Sequence, residues 1–277
     1  MLIATWNVNS LTARLPRVVA WLEANRPDIL LLQETKLADA AFPAGPFQEL
    51  GYETAHHGDG RWNGVAVISR IGMSGVTTGL ATLAPTGQAE PRYLSATCSG
   101  LRVASVYVPN GREVGHPFFE YKLRWLAELS RSVEMDLSGG DLLVGGDFNV
   151  APTDLDVFDP KAFEGATHVT PQERAALQAV LDKGLVDLAM SAPEPSGYTY
   201  WDYRQGFFRR GLGMRIDLLL GSPGVAARVV QVRVDREERS GVRPSDHAPL
   251  LAELRRPQAL TVPAARIEPS HRGRLWR

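Results

Sequence analysis

The chain has 277 residues, 44% of them hydrophobic and 22% charged, with a formal net charge of −1. This is ordinary globular composition with enough apolar material for a sizeable core, and it carries no general basic bias of the kind that advertises nucleic-acid binding. The single cysteine, Cys98, excludes an intrachain disulfide and fits a reducing compartment, and no apolar run approaches membrane-spanning length. The expectation is a soluble, cytoplasmic protein without a secretory signal.

The average charge hides a split. Residues 255–277 hold six arginines against one glutamate, which leaves the rest of the chain near −6. An acidic body suits a site whose carboxylates await a cation.

In chain order, Leu2–Trp6 is a first strand-type run. Leu15, Val18, Val19 and Leu22 then follow the i, i+3, i+4, i+7 rule, and Pro16 near the start is a helix opener. Strand-type runs return at Asp28–Gln33, Val65–Ser69, Tyr93–Cys98 and Arg102–Val108. Tyr121, Trp125, Leu126 and Leu129 form a second amphipathic stripe before the run Leu142–Gly145. A third helix, with Leu177, Val180 and Leu181 on one face, is opened by Pro171 and closed near Gly184. Ile216–Leu220, Val229–Val234 and Leu250–Leu254 complete the strands. Many of these runs are apolar on successive residues, as when both faces of a strand are covered. The pattern predicts one α/β domain over 1–255, its sheets shielded by helices. Residues 256–277 mix proline, arginine and small residues without periodicity and are expected to form a flexible basic tail.

Residues able to bind metal or move protons stand where the apolar runs stop. Asn7 follows the first strand and Glu34 the second; Asp147 and Asn149 follow Leu142–Val144; Asp217 opens Leu218–Leu220; Asp246 and His247 precede Leu250. Each alone has a structural explanation as a cap, a turn former or a loop hydrogen-bonder. As a set they are hard oxygen donors with one Asp–His pair and no Cys/His cluster, which argues for magnesium or manganese over zinc.

The ordered motifs Thr5-Trp6-Asn7-Val8-Asn9, Leu32-Gln33-Glu34-Thr35-Lys36, Val106-Tyr107-Val108-Pro109-Asn110-Gly111, Gly145-Gly146-Asp147-Phe148-Asn149, Met214-Arg215-Ile216-Asp217 and Ser245-Asp246-His247-Ala248-Pro249 span nearly all of 1–255. In this series the chain resembles the exonuclease III family of AP endonucleases, within the endonuclease/exonuclease/phosphatase superfamily. The resemblance implies a two-sheet β-sandwich flanked by helices, the four-layer αββα arrangement of the DNase I-like fold. It implies Mg2+ as cofactor, with Mn2+ able to substitute. The activity implied is hydrolysis of DNA phosphodiesters, 5′ to abasic sites and at 3′ nucleotides or blocking groups. Glu34 is then the expected metal ligand, with Asn7 and Asp246 as further ligands or as partners of the ligands. Asp217 looks like the orienting partner of His247, Asn149 like a hydrogen-bond partner of the nucleophile or the developing charge, and Tyr107 like a phosphate contact. Either Asp147 or His247 takes the proton.

Substrate choice rests on Tyr198 to Arg215, where aromatic residues interleave with arginines. Tyr200, Trp201, Arg204, Met214 and Arg215 are the expected DNA contacts there, the alternative being a core hairpin with solvated arginines. Arg92 and Lys122 are further basic candidates, the latter otherwise a helix-surface lysine. The expected partner is double-stranded DNA with abasic sites or 3′ ends, bound by a monomer away from any membrane. Two other readings stay open: a phosphodiesterase acting on RNA or a lipid headgroup, and a noncatalytic nucleic-acid-binding relative.

Overall fold

A computed structural model describes residues 1–192 and 197–256; the stretch expected to be a basic tail lies, from residue 257 on, outside the described residues. The first sheet contains β1 (Leu2–Asn7), β2 (Ile29–Gln33), β3 (Glu53–His57), β4 (Val65–Ser69), β11 (Val229–Val234) and β12 (Leu250–Leu254), in the order β11-β12-β1-β2-β4-β3. The second contains β5 (Ser74–Thr78), β6 (Tyr93–Cys98), β7 (Leu101–Tyr107), β8 (Leu142–Asp147), β9 (Val186–Asp187) and β10 (Asp217–Gly221), in the order β5-β6-β7-β8-β10-β9. Each sheet has one parallel pair, β1 with β2 and β7 with β8. Each of these pairs is bridged by a crossover helix, α1 (Leu11–Asn25) or α3 (Pro117–Leu137), as a parallel connection requires.

Alternation along each strand explains the unbroken apolar runs. Ile3, Ile29, Leu31, Val65 and Val67 point inward, against Leu94, Ala96, Val103, Leu143 and Leu219 of the facing sheet. Their neighbours Ala4, Trp6, Leu30 and Leu32 point outward, under α1 and Phe47 of α2 (Ala44–Glu49). On the far side, Val106, Val144, Leu218 and Leu220 pack under Trp125, Leu126 and Leu129 of α3 and Leu177 and Val180 of α4 (Pro171–Leu181). The result is the four-layer αββα sandwich expected from the motifs. Two short helices, α5 (Phe207–Arg210) and α6 (Pro223–Ala226), complete the α-helices of the described residues.

The sandwich gathers the polar strand ends at one rim. Asn7 pairs with Gln33 at the ends of β1 and β2, and Tyr107 with Asp147 at the ends of β7 and β8. Strand β10 runs antiparallel to β8, so its first residue, Asp217, stands opposite Asp147. The two glycines of β8 make this closeness feasible. A Cβ on Gly146 would lie 1.9 Å from the carbonyl oxygen of Val106, and one on Gly145 would lie 2.7 Å from side chains of Leu219 and Leu31. Among the described residues, no helix is long and apolar enough to cross a membrane.

Candidate active site

Two backbone turns aim the rim residues. Glu34, Lys36 and Asn149 adopt left-handed φ values of 52°, 54° and 51°. Such conformations are costly for residues with a side chain and persist only where the surroundings enforce them. Here the Glu34 turn is tied to the start of α1 by Ser10 N donating to Glu34 O at 2.7 Å and Leu11 N to Thr35 O at 3.0 Å. The Asn149 turn is closed by its own N–H donating to Asp147 Oδ1 at 2.9 Å and its Nδ2 to Val108 O at 3.0 Å.

The side chains converge on a buried centre. His247 Nδ1 donates to Asp217 Oδ2 at 2.7 Å, and His247 Nε2 lies 3.8 Å from Asp147 Oδ2. Asn7 Nδ2 donates both to Asp147 Oδ2 at 2.9 Å and to Glu34 Oε1 at 2.8 Å. In this arrangement Asn7 bridges two carboxylates with its amide hydrogens, while its Oδ1 accepts from Asn9 N at 3.0 Å. Lys36 Nζ holds the other oxygen of Glu34 at 2.9 Å and donates to Asn9 Oδ1 at 2.6 Å. Asn9 Nδ2 in turn donates to Asp246 Oδ1 at 3.0 Å, so Glu34 and Asp246 are connected through Lys36 and Asn9. His247 is anchored by its carbonyl, which accepts from Trp6 Nε1 at 3.2 Å, and Tyr200 stacks obliquely on its ring at a centroid distance of 4.9 Å.

Packing these charges together perturbs them. Burial works against a charged His247, but Asp217 and Asp147 overcome it and push the imidazole up to about 10. Asp147 is pushed up to about 7, first by burial, then by the repulsion of Asp217 and Glu34 against the counter-pull of His247. Glu34 behaves oppositely: burial opposes its charge, yet Lys36 and the Asn7 hydrogen bond hold its carboxyl below the usual range. The Tyr107 phenol is raised by burial and then by the neighbouring Glu34 carboxylate, and keeps its proton.

The donor set fits a divalent cation. Asp147, Asp217 and His247 bring polar atoms within 4.8 Å of one another, and Asp147 is joined through Asn7 to Glu34. The charged His247 ring donates there, which leaves the carboxylates as the cation's donors. Asp217 Oδ1 is buried without a hydrogen-bond partner among the described residues. Buried, mutually repelling carboxylates with an orphaned oxygen are what a hard cation relieves.

Beside Tyr200 a cavity of about 380 Å3 is lined by Phe158, His168, Tyr200, Phe207, Leu212 and Met214. Of the expected DNA contacts, Tyr200, Arg204 and Met214 line this cavity, Met214 with only 5% of its surface exposed. The Arg204 side chain is 83% exposed at the cavity mouth, its guanidinium paired with Asp202 at 2.6 Å.

Four expected contacts are corrected. Arg215 is buried, with Nε on Asp156 and Nη1 on Asp187, both at 2.6 Å, so its fork is spent inside the protein. Trp201 is 2% exposed beneath Phe208 and Arg236 and cannot wedge into a base stack. Lys122 is fully buried against Glu173 and is neither a DNA contact nor a surface lysine. Arg92 is buried over the Tyr107 ring at 4.5 Å with Nε on Glu90 at 2.5 Å, which makes it a support for Tyr107. Interleaved spacing reports where aromatics and arginines lie along the chain, but not which of them face inward.

Other residues at the site had no role assigned from the sequence. Asn9 and Lys36 lie inside two of the motifs, and Asn110 inside a third. His168 donates from Nδ1 to Asn149 O at 2.5 Å, and burial with the nearby Lys122 charge pulls it down to about 4. Glu173 was readable only as the fourth residue of a Thr170-x-x-Glu173 helix-start box, which the structure contains.

Comparison with known proteins places this architecture. The Endonuclease/Exonuclease/phosphatase family pattern matches residues 4–247. Exodeoxyribonuclease III of Haemophilus influenzae is 32% identical over 269 residues, covering 92% of this chain and 100% of that protein. Among solved structures, a 3′ phosphatase from Neisseria bound to a product DNA hairpin is 44% identical, with a TM-score of 0.88 over 92% of this chain and 99% of that one. An AP endonuclease from Archaeoglobus fulgidus is 36% identical, with a TM-score of 0.87 and the same coverage. The chain that carries this rim of buried carboxylates and one histidine belongs to the Endonuclease/Exonuclease/phosphatase family.

Proposed function

We propose that the chain is a divalent-cation-dependent DNA phosphodiesterase of the exodeoxyribonuclease III type, processing 3′ ends and incising 5′ to abasic sites. The observation that carries the reading is the buried Asp217–His247–Asp147 cluster, joined through Asn7 to Glu34 at one sheet rim. Processing of 3′ ends is favoured by the relative at 44% identity, named as a 3′ phosphatase, over the AP endonuclease at 36%.

Glu34, with Asp246 across the Lys36–Asn9 link, would hold Mg2+, or Mn2+ in its place. When bound, such a cation neutralises phosphate charge and stabilises a leaving oxygen. His247, held charged by Asp217, donates a hydrogen bond to a phosphate oxygen. Asp147, raised toward neutrality, is the group that accepts the proton of the attacking water. Asn149 donates to the developing charge, and Tyr107, kept protonated, contacts the scissile phosphate. Tyr200 and Met214 form the wall for the sugar or base beside it, and Arg204 meets the flanking backbone.

The same proposal takes residues 1–255 as one catalytic unit that acts as a cytoplasmic monomer on duplex DNA. The test is incubation with three duplexes, one with a 3′ phosphate, one with a recessed 3′ end and one with a tetrahydrofuran abasic analogue, in Mg2+ and then in EDTA. Chelator-sensitive release of phosphate or nucleotides, or incision 5′ to the analogue, is expected. Absence of all three products, or faster turnover of RNA or sphingomyelin, overturns the reading.

A further inference from the structure

Lys122 is a lysine of α3 with none of its surface exposed, in ion contact with Glu173 of α4, itself fully buried. The ammonium also donates to the main-chain carbonyl of Asn149 at 2.6 Å and to that of Asn110 at 3.2 Å. Those carbonyls belong to the turns that follow β8 and β7, the strands that deliver Asp147 and Tyr107. The Thr167 hydroxyl is within donating distance of both Glu173 Oε1, at 2.7 Å, and the Asn110 carbonyl, at 3.0 Å, and so ties the two together. Asn110 Nδ2 then donates to Asn149 Oδ1 at 3.2 Å. The lysine stem reaches this point because Gly111 has no side chain; a Cβ there would lie 3.1 Å from Lys122 Cδ.

A lysine is an expensive way to fill a core. Burial disfavours its charge, and Glu173 restores only part of the lost hydration. An apolar pair of the same volume would close the α3–α4 contact at least as well. What an apolar pair lacks is a donor that grips two catalytic turns at once.

We propose that Lys122, supported by Glu173, is a positioning residue that sets the orientation of the Asn149 side chain by clamping the main-chain carbonyls of Asn149 and Asn110. The inference rests on the role given to Asn149 in the proposed function.

Lys122→Met alone strands the Glu173 carboxylate in the core and lowers stability, so it cannot separate positioning from folding. The informative protein is the full chain carrying Lys122→Met with Glu173→Gln, which removes both charges and keeps the volumes. A merely structural pair predicts recovery of Tm and kcat together. The positioning role predicts recovery of Tm toward wild type with kcat still down by about 10- to 100-fold and KM within about threefold, because misaligned catalytic groups cost rate rather than affinity. In an Asn149→Ala background the same double replacement should cost nothing further. Wild-type kcat in the double variant, or the same fold-loss in both backgrounds, overturns the proposal.

An activity-independent reading uses the Asn149 side-chain amide in a 1H–15N spectrum. Its resonance shifts and loses exchange protection in the double variant if Lys122 sets its orientation, and an unchanged resonance refutes the idea. Should the double variant fail to fold, Thr167→Val is expected to move the same resonance by loosening the Asn110 carbonyl, and no movement counts against the proposal. Were the wild type inactive on every DNA tested, the proposed function would fall while the amide spectrum still decided this inference.

Discussion

Asp217→Asn is the replacement that isolates the electrostatics of the site. The amide is nearly isosteric, and its oxygen can still accept from His247 Nδ1, so the 2.7 Å contact survives while the negative charge disappears. The rise of His247 from 6.5 to about 10 corresponds, at about 1.4 kcal/mol per tenfold change, to roughly 5 kcal/mol of preference for imidazolium. Asp147 and Asp246 supply part of that preference against the cost of burial, but Asp217 is the largest favourable contributor. Without it, burial prevails and the ring is expected to be largely neutral at pH 7. A neutral ring with its Nδ1 proton turned to the new amide oxygen presents a bare Nε2 to phosphate, and the donor is lost. Removal of one such donor costs on the order of 10²–10³ in kcat.

The imidazole should be followed by NMR titration in EDTA, so that no cation intrudes. Wild-type His247 should stay charged to about pH 10, and in the Asp217→Asn variant it should titrate near or below neutrality. A group whose folded pKa is raised contributes stability below its unfolded value and loses it as pH climbs through the folded value. The wild type should therefore be more stable than the variant at pH 6, with the gap closing between 6.5 and about 10. A variant imidazole still charged at pH 9, or neutral-pH kcat within threefold of wild type, would refute the electrostatic account.

Chelation and mutation of the cation site form a second test. Mg2+ at a hundredfold its Kd should stabilise the wild type by about 2.7 kcal/mol in thermal unfolding. Glu34→Gln should abolish that gain together with cleavage, and equal Tm with and without Mg2+ in the wild type would remove the cation from the site. Arg215→Met leaves Asp156 and Asp187 buried without their cation, a loss of about 3–5 kcal/mol. It should lower Tm by roughly 10 °C without weakening the KM for DNA, and the reverse pattern would restore Arg215 as a DNA contact. Gly146→Ala places a methyl 1.9 Å from the Val106 carbonyl, so β7 and β8 must separate. It should lose soluble expression or at least about 2 kcal/mol of stability by urea denaturation, and wild-type stability would show that the rim tolerates wider strand spacing.

Much of the fold was legible in residue patterns. Strands with both faces covered read as continuous apolar runs, and the helical stripes at Leu15–Leu22 and Tyr121–Leu129 fall on α1 and α3. The edges were not legible. Strand β5, Ser74–Thr78, is exposed at every position and carries Gly75, and β3 is only partly buried, so neither has a hydrophobic alternation to read. The two-residue β9 is too short for any period. The residues at the rim were readable because each sits where an apolar run stops. Their supports, from Asn9 and Lys36 to His168 and Glu173, act across gaps in sequence that no local spacing encodes.

By itself the sequence determined the kinds of elements, the rim to which their polar ends belong and the family. Hydrophobic period and turn chemistry are properties of neighbouring residues, and the ordered motifs carried the rest. Tertiary structure alone decided which cations face solvent and which are spent within the protein, as for Arg204 against Arg215 and Lys122. An arginine or lysine has the same local pattern whether it meets a phosphate or a buried carboxylate. Only the folded chain brings Asp156, Asp187 or Glu173 within reach, and desolvation then commits the charge to its internal partner.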